Sequence, residues 1–88
     1  MTGFTMAFEF WVGEQQVNVS WEEGLFEVSV GGKRLPSFYA FVSVTDLKPG
    51  GVPALVADLK DTSTKKHLPD DLKAEVVRRV SEWLAQHR

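Results

Sequence analysis

The 88-residue sequence contains no cysteine, which excludes disulfides and thiolate metal sites. It has only two histidines, His67 and His87, and they lack the spacing of a helical metal-binding pair. We therefore expect no metal ion and no cofactor. The net charge is −2, and so small an excess of one sign produces no strong field that would attract nucleic acid or a membrane.

Long hydrophobic runs are also absent, and none approaches the roughly 20 residues that span a bilayer. The first ten residues, MTGFTMAFEF, lack the basic and apolar regions of a secretory signal. We therefore expect a cytoplasmic protein without a membrane partner. The length favours a single domain over residues 1–88, and the sequence shows no internal repeat.

The chain does contain a clear alternation of apolar and polar residues near its start. In FTMAFEFWV, residues 4–12, one side of a strand would carry Phe4, Met6, Phe8, Phe10 and Val12. The pairs Gly13-Glu14 and Glu23-Gly24 can each form a two-residue hairpin turn, the first of type II′. With these turns, Phe10 pairs with Val17 and Val17 with Val30. One face of the first three strands is then apolar throughout.

Three more segments complete the predicted fold. SFYAFVSV, residues 37–44, predicts a fourth strand that is apolar on both faces. VPALVADLK, residues 52–60, fits either a fifth strand or a short helix that begins at Pro53; we favour the strand because the segment is shorter than most helices. LPDDLKAEVVRRVSEWLAQHR, residues 68–88, predicts a helix with Pro69 in its first turn. Its apolar stripe consists of Leu72, Val76, Val80, Trp83 and Leu84.

These elements together predict an α+β fold with two layers. The first layer is an antiparallel β-meander of four or five strands, and one C-terminal helix packs on one face of it. The helix stripe has to be buried because an isolated helix of this length is only marginally stable in water.

No set of residues predicts catalysis. Asp61, Ser63 and His67 lie in one polar segment, whereas the members of a catalytic triad usually come from separate elements. Glu9 and Glu27 are predicted on the same open sheet face, about 10 Å apart, slightly beyond the separation of about 6.5–9.5 Å found in inverting glycosidases. We therefore expect that the protein is not an enzyme and has no small-molecule substrate.

Four large residues point away from the predicted core: Trp11, Leu25, Tyr39 and Phe41. A plausible pairing of the third and fourth strands places Phe41 opposite Leu25 and Tyr39 opposite Glu27. Scattered exposed apolar residues are common, and residues 52–60 offer a second explanation because they can fold across this face. The functional interpretation is a surface that binds protein. We favour a small protein-binding module, such as a bacterial or phage adaptor, subunit or stoichiometric inhibitor. It would act through an aromatic sheet face or an edge strand, with another protein or with a second copy as a homodimer.

The alternative is binding of single-stranded nucleic acid on the open sheet face. Basic residues in the connections form candidate anion-binding groups: Lys33, Arg34, Lys65 and Lys66. An open sheet with aromatic residues can stack bases. However, Glu9 and Glu27 lie on the same predicted face and would repel phosphates, so we rank nucleic acid second.

Overall fold

A computed structural model of the chain describes residues 5–31, 37–61 and 64–87. Within these residues the elements are β1 (Met6–Val12), β2 (Gln15–Glu22), β3 (Leu25–Val30), β4 (Ser37–Phe41), a 3₁₀ turn (Pro49–Gly51), α1 (Val52–Asp58) and α2 (Asp70–His87). The strands form one antiparallel sheet in the order β1-β2-β3-β4. The predicted two-layer α+β meander with a C-terminal helix is confirmed, in its four-stranded form, with a second short helix added.

Two tight turns set the pairing of the first three strands. Gly13 has a φ of +62°, as the first central residue of a type II′ turn requires. Glu23 and Gly24 have φ values of +52° and +90°, the signs that a type I′ turn requires at both central residues. The predicted register of these strands is confirmed at every apolar pair. Because each turn has only two residues, the apolar side chains of all three strands reach the same face.

That apolar face carries the core. The sheet contributes buried side chains that include Met6, Phe10, Val17, Val19, Trp21, Phe26 and Val28, and α2 contributes Leu72, Val76, Val80 and Leu84. Burial of each of the larger side chains stabilises the fold by about 1.5–3 kcal/mol. The predicted stripe of α2 is therefore confirmed for four of its five residues. Trp83, the fifth, is half-buried at the side of the stripe.

The segment 52–60 forms a helix, so the strand that we favoured there is wrong. Pro53 lies in the first turn of α1, where its missing N–H removes no helical hydrogen bond. The buried residues of the helix are Val52, Leu55 and Val56, which belong to the same core as those of α2. A strand would place Leu55 and Val56 on opposite faces, whereas the helix buries both of them on one side.

The covered side of the sheet is therefore shared by α1 and α2, which contact each other. The opposite face, called the open face below, carries the other set of alternating side chains. Glu9, Asn18 and Ser29 on this face are exposed or half-buried. No helix in the described part of the chain is long and apolar enough to cross a bilayer.

Candidate binding surfaces of the sheet

The centre of the open face is polar. Glu9 pairs with Asn18 across β1 and β2, and Ser29 pairs with Ser37 across β3 and β4. The Ser37 hydroxyl donates a hydrogen bond of 2.5 Å to the carboxylate of Glu27. Aromatic side chains therefore do not form one continuous patch across this face.

The four predicted protein-binding residues separate into two places. Leu25 pairs with Phe41, as the sequence predicts, and Tyr39 lies two residues before Phe41 on the same face. Trp11 pairs with Gln16 at the other end of the sheet. With a strand spacing of about 4.8 Å and a rise of about 3.3 Å per residue, Trp11 and Phe41 lie about 25 Å apart. The structure thus groups the three residues near β4 and separates Trp11 from them.

Among the described residues, the two strongly exposed aromatic side chains lie on the terminal strands of the sheet. Trp11 on β1 is 60% exposed, and Phe41 on β4 is 81% exposed. Strands β1 and β4 each have only one neighbour in the sheet. The exposed aromatic residues therefore mark the two edges of the open face.

The edge of β4 is partly occupied by the chain that follows α1. The Tyr39 N–H donates a hydrogen bond of 3.2 Å to the Lys60 carbonyl, and Lys60 forms a further bridge to His67. The Nδ1 atom of His67 lies within hydrogen-bond distance, 2.8 Å, of the Leu59 carbonyl oxygen. This contact links the two ends of the connection between α1 and α2. An additional strand cannot pair with Tyr39 unless this connection is displaced.

No described residue pairs with the outer edge of β1. In a two-residue hairpin, Val12 and Gln15 form the hydrogen-bonded pair next to the turn, so the alternate residues Ala7, Glu9 and Trp11 direct their N–H and C=O groups away from β2. None of the residues that the structure describes makes a backbone hydrogen bond to these outward groups. Strand β1 therefore presents the unpaired edge that is typical of sites of strand addition.

A groove lies between β1 and α2. The ring of Trp83 stacks on Phe8 with 6.3 Å between the ring centroids. The guanidinium group of Arg79 lies 5.1 Å from the ring centroid of Phe10. These contacts hold α2 beside β1, and the groove of about 170 Å³ is lined by both elements, including Glu9. One wall is thus a strand edge, and the other is a flank of α2 on which Trp83 lies among Arg79, Glu82 and Gln86.

The charges around the groove leave one acidic group without a partner. The Glu75 carboxylate lies 2.6 Å from the guanidinium group of Arg78 and 3.0 Å from that of Arg79. The Arg78 guanidinium group also lies 3.1 Å from the Glu82 carboxylate. The pKa of Glu75 lies below its ordinary value because of a hydrogen bond from Arg78, which is the largest cause, and a second hydrogen bond from Arg79. The two arginines are therefore balanced by two glutamates of their own helix. Glu9 forms no ion pair within the described ranges and gives the groove its net charge.

The helix wall of this groove was not predicted from the sequence. Trp83 was assigned to the buried stripe of α2. The available signal was the spacing of Arg79 and Trp83, four residues apart on one flank of the helix. That signal does not tell which strand the flank faces.

The other predicted residues lie elsewhere or outside the described residues. Lys65 and Lys66 are exposed in the connection between α1 and α2, which reaches the sheet at β4. Lys33 and Arg34 lie outside the described residues, so their predicted role in anion binding is not addressed by the structure.

The structure gives the separation of the two sheet glutamates and the arrangement of possible metal ligands. Glu9 and Glu27 are offset by two residues along β2, which places them about 12 Å apart rather than the expected 10 Å. Within the described residues, no three side chains of the ligand-forming types are arranged to hold a metal ion.

Comparisons with known proteins give no match for this chain, whether with family models, with curated proteins or with solved structures. The features of the described residues that bear on function are the two sheet edges, the polar face between them and the groove beside β1.

Proposed function

We propose that the protein is a non-enzymatic protein-binding module that acts through the edges of its sheet. The observation that carries this proposal is the exposure of two large aromatic side chains, Trp11 and Phe41, on the two terminal strands. A chain of 88 residues buries a limited share of its surface and needs most of its large apolar side chains in the core. Aromatic residues left outside such a core are the preferred anchors of protein interfaces.

The arrangement favours engagement at an edge over a flat contact with the whole face. The centre of the open face is occupied by polar side chains such as Asn18 and Ser29. A partner that docks at an edge can bury one aromatic anchor and leave this polar centre in water. An adaptor, a subunit and a stoichiometric inhibitor would all use such a surface.

Binding of single-stranded nucleic acid is less well supported. Proteins that stack successive bases place their aromatic residues close together along a basic groove. Here Trp11 and Phe41 are at opposite corners, and Glu9 and Glu27 lie between them on the same face. These carboxylates would repel a phosphate backbone.

The proposal is tested by comparing proteins captured by the wild-type chain and by three variants, Trp11→Ala, Phe41→Ala and Val44→Ala. Val44 is the matched control, because it is also an exposed apolar residue, 37% accessible, but lies outside the strands. Each immobilised variant, checked for folding by circular dichroism, is exposed to an extract of the cells that produce the protein. We expect a partner that binds the wild-type and Val44→Ala chains and is lost with Trp11→Ala or Phe41→Ala.

Two outcomes would contradict the proposed function. Identical sets of captured proteins on all four columns would show that the edge aromatics are not used. Retention of oligonucleotides at low salt, lost when Lys65 and Lys66 are changed to Glu, would favour the nucleic-acid alternative instead.

A further inference from the structure

We propose that the groove between β1 and α2 binds an extended, basic peptide segment of a partner protein, which pairs with β1 as a fifth strand. This inference rests on the proposed protein-binding function and names the partner's chemistry and its mode of binding. Its three supports are the edge of β1, which no described residue pairs with, the Phe8 and Trp83 rings that line the groove, and the charge of Glu9, which has no ion-pair partner among the described residues.

The backbone of β1 supplies the first support. Ala7, Glu9 and Trp11 each direct one N–H and one C=O group outward, and none of these groups is bonded to a described residue. An extended peptide can satisfy them in an antiparallel or parallel ladder. In this mode of recognition the main-chain hydrogen bonds supply affinity and alternate side chains supply specificity.

The side chains on the two sides of β1 supply the second support. A peptide residue that pairs with Glu9 extends its side chain over the open face, beside that carboxylate. The residues before and after it point the other way, toward the groove lined by Phe8 and Trp83. The geometry therefore selects an apolar–basic–apolar pattern, with lysine or arginine in the central position.

The charge of Glu9 also distinguishes a basic partner from a second copy of the chain. If β1 paired with its own copy along its full length, an antiparallel two-fold arrangement would place Glu9 directly opposite the same residue of the copy. Like charges directly opposite each other destabilise a strand pair. A shift of two residues avoids this contact but pairs only five of the seven residues of β1. A segment with a basic residue at this position meets neither obstacle.

The test is a selection of displayed random nonapeptides on the wild-type chain and on two variants. Glu9→Lys reverses the charge at the groove, and Glu14→Lys is the matched control because Glu14 is exposed in the turn after β1. We expect the wild-type chain and Glu14→Lys to enrich apolar–basic–apolar peptides. Glu9→Lys should enrich peptides with Asp or Glu at the central position. The best wild-type peptide should bind Glu9→Lys about tenfold more weakly, since an attraction becomes a repulsion.

Strand addition is tested separately with N-methylated versions of the best peptide. Methylation of the amides that face β1 should abolish binding, whereas methylation of the alternate amides, which face solvent, should leave it within about twofold. In the complex, the amides of Ala7, Glu9 and Trp11 should gain protection from hydrogen exchange.

Failure of this inference is distinguishable from failure of the proposed function. The groove is excluded as a peptide site if no peptide is enriched, if both charge variants enrich the same peptides as the wild-type chain, or if methylation of either set of amides has the same effect. In each of those cases, partner capture that still depends on Trp11 or Phe41 leaves the protein-binding function in place.

Discussion

At the scale of single residues, Glu23 occupies a backbone conformation that is costly for a side chain with a Cβ. Its φ of +52° lies in the left-handed region, which glycine and asparagine adopt more easily than glutamate. Asn-Gly is the preferred sequence of a type I′ turn. Glu23→Asn should therefore raise the free energy of unfolding by about 0.5–1 kcal/mol, which raises Tm by roughly 4 °C.

The matched control for this prediction is Glu14→Asn, measured in the same thermal unfolding experiment. Glu14 is the second central residue of the other hairpin turn and is not among the residues with positive φ. We expect its substitution to change Tm little. Equal gains at both turns would show that removal of an acidic charge, and not relief of the left-handed backbone, causes the effect.

Truncation of two tryptophans of the sheet should affect the free energy of unfolding to very different extents. Trp21 is buried, and its indole N–H donates a hydrogen bond of 2.9 Å to the Val42 carbonyl. Trp21→Ala should lower the free energy of unfolding by about 3–5 kcal/mol. Trp11 is mostly exposed, so Trp11→Ala should change the free energy of unfolding by no more than about 0.5 kcal/mol. Urea unfolding of both variants measures the difference, and a loss of several kcal/mol for Trp11→Ala would assign this side chain to the core.

The sides on which Trp11 and Phe41 lie were predictable, and the distance between them followed from the same predicted strand pairs but was overlooked. Period-two alternation and two short turns suffice to place Trp11 on the face opposite Trp21. The distance from Trp11 to Phe41 is set by three successive strand registers and by how far each strand extends. Individual pairs such as Leu25 with Phe41 were correctly predicted. The patch that combined them with Trp11 overlooked the offset that accumulates along the strands.

At the scale of elements, α1 shows why a short apolar segment is difficult to assign to a strand or a helix from its sequence. Its core residues are Val52, Leu55 and Val56, followed by the buried Leu59. This is the i, i+3, i+4, i+7 spacing of one helix face, and it was present in the sequence. The strand was favoured on length, although packing against α2 can stabilise a helix of only seven residues. Tertiary contacts, which a local pattern does not contain, decided the outcome.

The exposed ion-pair network of α2 gives a prediction at the same scale. Hydrogen bonds from Arg78 and Arg79 lower the pKa of Glu75, so the folded state stabilises its carboxylate form. The resulting stabilisation is present above the ordinary pKa of glutamate and is lost as the pH falls through the lowered value. In Arg78→Ala the pKa of Glu75 should rise toward the ordinary value, as measured by NMR titration of its side-chain carboxyl carbon.

Lys73→Ala is the control for this titration. Lys73 lies on the same helix, but the partner nearest to its ammonium group is Asp70, at 3.9 Å. Its removal should leave the pKa of Glu75 nearly unchanged. An equal rise in both variants would show that the general positive charge of the helix, and not the hydrogen bonds from Arg78, holds the pKa down.

At the scale of the whole molecule, the fold was predictable because local signals agreed with one another. The turns, the alternation of the first three strands and the stripe of α2 all require a single covered face. The groove beside β1 was not predictable in the same way. It depends on which strand lies next to Trp83 and Arg79, and the helix position over the sheet follows from packing of the complete core.

The oligomeric state provides the last prediction, because an uncovered strand edge would ordinarily promote association of two copies. Charged residues on an edge strand oppose this association, and Glu9 lies at the middle of β1. We therefore expect the wild-type chain to sediment as a 9.9 kDa monomer at micromolar concentration. Glu9→Thr removes the repulsion and should produce a concentration-dependent dimer. Glu22→Thr, which changes an exposed glutamate on the interior strand β2, should remain monomeric. A wild-type dimer with protected amides at Ala7 and Trp11 would instead show that the edge is already filled by a second copy, and a basic partner segment would then have to displace it.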